Sequence, residues 1–248
     1  MMKKTLLITG ASRGIGAAIA RRAATQYNVV INYHNSVVAA NNLVKEIEHA
    51  GGTALAIRAN VGIQSEVNSM FQTVDKTFGA LDVLINNAGK SVPISVATVE
   101  EAELLDSFQT NLFSIYFCSR EAIKRMSTDH AGHGGAIINM SSVAARLGGM
   151  KGGAAYAASK GAIDSLTIAM AKEVGKQGIR VNAIRPGLIE TDIHDVHGGL
   201  EPMRELASTV VPMGRSGLAD EVASVALWLA SEDASYVHGA LIDVSGGR

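Results

Sequence analysis

Short aliphatic and β-branched runs recur along the whole chain, each followed by a longer stretch with helical spacing of its apolar positions. The runs are Thr5–Thr9, Val29–Tyr33, Ala54–Arg58, Val83–Asn86, Ala136–Met140, Arg180–Ile184 and Ala240–Val244. Helical patterns fall over 14–26, 37–50, 64–78, 101–127, 155–177 and 219–231. Runs such as TLLIT and DVLIN are apolar throughout instead of alternating, which marks strands buried on both faces. Such strands, alternating with helices, build a parallel sheet covered on both sides, since a parallel crossover needs a helix-length connection. The predicted fold class is α/β, doubly wound. No composition shift marks a second domain, so residues 1–248 are expected to form one, with the irregular segment 187–217 as a lid over a site.

Charge and composition exclude several classes of partner. A formal net charge of −1 and the lack of any basic run give no pull toward nucleic acid or an anionic membrane. The opening MMKKTLLITG has two lysines and an apolar run, but the run stops at Gly10, too early for a signal peptide. Nothing approaches membrane-spanning length. The single cysteine, Cys118, sits in the apolar LFSIYFCS and reads as a packing thiol without a disulfide partner. A cytoplasmic protein is expected. His194 and His197 have no cysteine or acid at ligand spacing, so no metal is expected.

The first strand runs into TGASRGIG, where Gly10, Gly14 and Gly16 surround Ser12, Arg13 and Ile15 ahead of a helix. A strand, a glycine turn and a helix start form an anion site, with free N–H groups and the helix dipole facing a phosphate. The spacing is GxxxGxG, and a tight turn needs some glycine in any case, so the turn alone does not decide. An NAD site usually places an acid at the end of the second strand, on the ribose hydroxyls. Here that stretch reads Asn32, Tyr33, His34, Asn35, Ser36, and the first carboxylate after the turn is Glu46. Arg13 is placed to pair with a 2′-phosphate. NADP (as NADPH) is therefore expected over NAD, with Asn32, His34 and Asn35 among the contacts.

YAASK, residues 156–160, opens the fifth-strand-to-sixth-strand helix. The apolar stripe of Ile163, Met170 and Val174, with Thr167 between, extends back by steps of three and four onto Lys160 and Tyr156. A phenol and an ammonium therefore face the interior. Tyrosine's reference pKa of about 10 is high for proton exchange at neutral pH, and a neighbouring ammonium favours the phenolate. Tyr156 with Lys160 one turn on is a candidate acid–base pair.

TGASRGIG at 9–16, NNAG at 86–89, Asn111, NMSS at 139–142, YAASK at 156–160 and PG at 186–187 occur in that order. Together they resemble the single-domain short-chain dehydrogenase/reductase family, from near residue 3 to the end. Glucose-dehydrogenase-like and 3-oxoacyl-carrier-protein-reductase-like members are the most similar. The resemblance implies a seven-stranded Rossmann sheet, nicotinamide chemistry on a small-molecule carbonyl or secondary alcohol, and a homotetramer. It implies that Tyr156 is the acid–base, that Lys160 also holds the nicotinamide ribose, and that Ser142 holds the substrate oxygen. Asn111 would link the lysine to solvent. Cofactor contacts are implied for Asn60, Val61, Asn86, Ala88, Gly89, Pro186, Gly187, Ile189 and Thr191. Asn60 stands where the family usually has aspartate. Ser142 to Tyr156 spans one residue more than in many relatives, which keeps Ser141 as a second candidate for the serine.

Two other classes remain: a catalytically silent dinucleotide sensor, and a methyltransferase on a similar sheet. Neither requires the Asn111, Ser142, Tyr156, Lys160 set. Within the family, carrier-protein reductases place arginines just before the fifth strand and just after the tyrosine–lysine helix. Here those places hold His133 and Gln177. With His194, His197 and Glu201 in the lid, this leads to an expected preference for small free carbonyls or polyols over carrier-bound acyl groups.

Overall fold

A computed structural model of the chain describes residues 3–248; the side chains of His194 and His197 lie outside the described residues. The alternation is realised as β1 (Lys4–Ile8), α1 (Gly14–Ala23), β2 (Tyr27–Tyr33), α2 (Val37–His49), β3 (Thr53–Arg58) and α3 (Gln64–Phe78). There follow β4 (Val83–Asn86), α4 (Glu101–Phe108), α5 (Ser114–Met126), β5 (Gly135–Met140), α6 (Ala144–Leu147), α7 (Ala154–Val174) and β6 (Ile179–Pro186). The chain closes with β7 (Ile189–Glu190), α8 (Leu200–Val210), β8 (Gly217–Leu218), α9 (Ala219–Ala230) and β9 (Leu241–Val244).

Seven strands form one parallel sheet in the order β3-β2-β1-β4-β5-β6-β9. The period of two along each strand sorts the core into layers. Leu6 and Ile8 of β1 join Val29, Ile31 and Ile85 in the core under α1, α2 and α9. Leu7, paired in register with Val30 and Leu84, faces the opposite layer with Phe71, Cys118 and Ile163. Fully burying such a side chain contributes about 1.5–3 kcal/mol. The strand order reverses on either side of β1, and a ligand crevice opens beyond the strand C-termini at such a switch point.

Two stretches depart from the expected elements. The helix expected over 101–127 is interrupted by a π-turn at Gln109–Phe113, which separates α4 from α5. The extra residue in the turn carries Asn111 into the interior. The irregular segment 187–217 contains α8 and a small β7–β8 sheet. Leu188, Met203, Ala207 and Val211 give it a core of its own. Pro202 lies in the first turn of α8, where a missing N–H costs nothing.

Candidate active site

A cleft of about 730 Å³ opens beyond the C-terminal ends of β1, β2, β4, β5 and β6. On one side lies the glycine turn. Gly10 has φ of +62°, and a Cβ there would come within 2.9 Å of the Ala88 Cα. A Cβ on Gly16 would sit 2.7 Å from the Asn87 amide nitrogen, so this glycine lets α1 pack against β4 and does not border the cleft. Arg13 precedes α1 in extended conformation and no side chain caps the helix, so its first amides are available to an anion. Gly10, Ser12, Arg13, Gly14 and Ile15 all line the cleft, as do His34, Asn35, Asn60, Val61, Ala88 and Gly89.

Two asparagines expected at the cofactor are committed elsewhere. Asn32 is buried; its oxygen accepts from the Gly10 N–H at 3.1 Å and its amide donates to Ala59 O at 3.0 Å. It reaches the cleft wall but braces the glycine turn against β3. Asn86 does not border the cleft. Its amide donates to Ser119 and to Asn139 Oδ1, at 3.1 and 2.9 Å, inside the core. Successive strand residues point to opposite faces, so Asn87 is the one that lines the cleft, donating to Thr9 O and Gly10 O. At Asn60 the side chain accepts from Gly62 N at 3.0 Å, a local turn bond.

Ser142, Tyr156 and Lys160 come together on the far side. β5 delivers the serines and α7 carries the other two, its N-terminal turn aimed at the end of β5. The Ser142 hydroxyl accepts from Ala144 N and acts on the Tyr156 phenol, drawing its pKa down. Ser141 turns away, donating to Lys160 O at 3.1 Å. That separates the two serine candidates: only Ser142 meets the tyrosine. Lys160 is 4% exposed, with its Nζ 2.7 Å from Met140 O and 5.5 Å from the Tyr156 ring centroid. Burial pushes the phenol above its usual range, partly offset by Ser142. Burial also lowers the Lys160 pKa to about 8, with Asp164 working the other way. The phenol is therefore raised and not lowered as expected: desolvation dominates both groups, and the opposing influence on the phenol comes from Ser142.

Asn111 sits behind the cleft, fully buried. Its oxygen accepts from Lys90 N at 2.8 Å, and its amide donates to Lys90 O and Ser159 Oγ. A Cβ on Gly89 would lie 3.3 Å from the Asn111 oxygen and 3.5 Å from Lys160 Nζ, so only a bare backbone separates the two. Pro186, Gly187, Ile189 and Thr191 line the side formed by 187–217. Lys90, Asp106, Leu147, Val196 and Arg248 also line the cleft and were not anticipated; no short motif marks them. Lys90 pairs with Asp106.

A family model described as Enoyl-(Acyl carrier protein) reductase matches residues 10–248. With the Ser142–Tyr156 contact and Lys160 in one cleft of a doubly wound sheet, the match decides the family. The chain is a short-chain dehydrogenase/reductase. Membership makes it a nicotinamide-dependent oxidoreductase working between CH–OH and C=O groups. An uncharacterized oxidoreductase of Escherichia coli is 44% identical, over 98% of each chain. The 3-oxoacyl-[acyl-carrier-protein] reductase FabG of Staphylococcus aureus is 39% identical, over 99% of this chain and 98% of that one. A solved double mutant of a Serratia marcescens short-chain dehydrogenase/reductase superposes with a TM-score of 0.91 at 31% identity, over 99% and 98% of the two chains.

Within this dehydrogenase/reductase, His133 and Gln177 fall at the other end of the sheet from the cleft. His133 precedes β5 and Gln177 precedes β6, whereas the cleft lies past the ends of those strands, about 20 Å away along six residues of β5. Glu201 pairs with Arg204 and does not line the cleft; Ile193 and Val196 do. Of the three polar lid residues expected, Glu201 is thus away from the cleft, and the side chains of His194 and His197 lie outside the described residues.

Proposed function

We propose that this enzyme is an NADPH-dependent reductase of small carbonyl compounds, with Ser142, Tyr156 and Lys160 as its catalytic residues and Asn111 as a positioning residue. The observation that carries it is that Ser142, Tyr156 and Lys160 line one cleft together with the glycine turn. The donor set fits a dinucleotide. The uncapped start of α1 and the bare backbone at Gly10 suit the pyrophosphate, and Lys160 suits the nicotinamide ribose. Bound there, reduced nicotinamide supplies hydride to the carbonyl carbon. Tyr156 gives its proton to the carbonyl oxygen, and Ser142 donates a hydrogen bond to the same oxygen as its charge develops. The raised phenol pKa keeps that proton in place at neutral pH.

The preference for NADPH rests on the end of β2. His34, Asn35 and Ser36 line the cleft there without a carboxylate, and Glu46 is held by Arg21 at 2.8 Å. Arg13 lines the same cleft. Its pair with Asp192, at 3.7 Å between two exposed side chains, is weak enough to be exchanged for a phosphate. The segment 187–217 acts as the lid of a single-domain enzyme, which we place in the cytoplasm on the strength of its buried, unpaired Cys118. Leu105, Phe113 and Tyr116 are exposed on the α4–α5 side, and Trp228 and Tyr236 on the α9 side. Two apolar areas on opposite layers suit a homotetramer, which light scattering on the purified protein would test.

The test is coenzyme oxidation against ketones, aldehydes, sugars and 3-oxoacyl thioesters. NADPH oxidation with at least one carbonyl, faster than with NADH, is expected. A preference for NADH would overturn the coenzyme assignment, and no turnover with any of them would overturn the reductase.

A further inference from the structure

The charged groups that line the cleft are nearly all accounted for. Lys90 pairs with Asp106, Arg13 with Asp192, and Lys160 donates to Met140 O. Among the described residues of the cleft, the guanidinium of Arg248 is the cation with neither an acid nor a carbonyl as partner. It is not a loosely held surface arginine. It is more than half buried, and its backbone carbonyl accepts from both Arg146 and Ser245 Oγ. Those bonds place it. Arg146 lies on α6, which begins two residues after Ser142, and is itself neutralised by Asp243 at 3.1 Å. Gly247, next to Arg248, lies against Pro212 at the end of 187–217. Arg248 therefore stands between the helix that follows Ser142 and the lid, on the substrate side and away from the glycine turn.

A guanidinium partly sheltered from water and without a partner is open to pairing with an anionic ligand. Burial alone acts on Arg248 and lowers its pKa; no carboxylate of the chain offsets this. Leu147 and Leu188 supply apolar wall to the same cleft. The combination suits a short carbon skeleton with an oxyanion at one end, which a planar guanidinium grips with two parallel bonds.

We propose that Arg248 recognises a carboxylate on the substrate, so that the carbonyl reduced at Ser142 and Tyr156 belongs to a small oxo acid. This rests on the reductase reading above for the reaction, but not for the binding.

The experiment compares acetoacetate with methyl acetoacetate, the same carbonyl with and without a charge, using NADPH and the wild type, Arg248→Gln and Arg248→Lys. The wild type is expected to favour the acid by about ten-fold or more in kcat/KM. In Arg248→Gln that acid-to-ester ratio should fall by roughly ten- to a hundred-fold, mainly through KM, the loss of one charge-assisted pair. Arg248→Lys should restore part of it. A ratio unchanged by Arg248→Gln, or no preference for the acid in the wild type, would overturn the proposal. So would a dependence on Arg248 seen with a 3-oxoacyl carrier protein and absent with the free acid. Calorimetric titration of acetoacetate into the NADP⁺-saturated protein separates the two readings. Binding lost in Arg248→Gln supports the arginine's role even where neither compound is turned over, and binding equal in both proteins overturns it. Absence of turnover alone counts only against the reductase.

Discussion

The Lys160 ammonium lies 5.5 Å from the centroid of the Tyr156 ring, over its face, and gives its hydrogen bond to Met140 O at 2.7 Å. The lysine meets the tyrosine at the face of its ring. Burial works on both groups at once, raising the phenol and lowering the amine to about 8. The acid thus keeps its proton through the neutral range, while the lysine keeps its charge only below about 8.

The reductive kcat/KM should be level at neutral pH and fall as pH rises through about 8, where Lys160 loses its charge. The stability consequence has the opposite sign. In the unfolded chain this lysine holds its proton to 10.5, so between about 8 and 10.5 the unfolded state binds more protons and rising pH favours the fold. Below 8 the cost of the buried charge is at its full value, about 3 kcal/mol for a 10.5 − 8 = 2.5 unit shift. Lys160→Met should therefore melt higher than wild type at pH 7, by less at pH 10, and be nearly inactive. A variant less stable than wild type at both pH values would contradict this reading.

Asn111→Leu leaves the Lys90 N–H and C=O without their partners in the interior. Each lost partner costs about 1–3 kcal/mol. Urea denaturation should show a loss of about 2–4 kcal/mol, and the coenzyme KM should rise because the segment following Gly89 is no longer held. Stability within 0.5 kcal/mol of wild type, roughly the noise of a surface change, would show that the bonds are replaced.

The sheet was legible from the apolar runs because strands buried on both faces leave little choice: six of the seven expected strands end within two residues of the observed position, and the fourth matches outright. What escaped reading depended on geometry that period and spacing do not carry. Asn86 and Asn87 are neighbours with the same side chain, and only strand direction decides which faces the core. The apolar pattern through 109–113 is continuous, so nothing in it announces the π-turn that buries Asn111. His133 and Gln177 are a different case. A residue just before a parallel strand lies at the edge opposite the residues just after it, and that rule alone would have separated them from the cleft.

Arg13→Ala should weaken NADPH by about ten- to a hundred-fold, the worth of one charge-assisted hydrogen bond of about 1.5–3 kcal/mol, and leave NADH nearly unchanged. Equilibrium fluorescence titration of both coenzymes is the check. Equal losses for the two would assign Arg13 to the shared pyrophosphate instead.

Glu190 is held by Arg204 at 2.9 and 2.6 Å and by Ser216 at 2.7 Å, which lowers its pKa to about 2. A depressed carboxylate contributes at pH above its ordinary 4.5, and that contribution is lost as pH falls toward about 2. Arg204→Ala should speed amide exchange across 190–217 at pH 7 while the sheet strands keep their protection. Uniform exchange in wild type and variant would show that this link does not hold the lid.

The most direct test is Tyr156→Phe, assayed for carbonyl-dependent NADPH oxidation beside a fluorescence titration of NADPH. The phenyl ring keeps the packing and removes only the hydroxyl and its proton. Coenzyme affinity and melting temperature should stay near wild type while kcat falls by roughly a hundred- to ten-thousand-fold, the range for a lost general acid. Turnover within about three-fold of wild type, far short of that range, would mean that the proton comes from another group and that Tyr156 is not the acid.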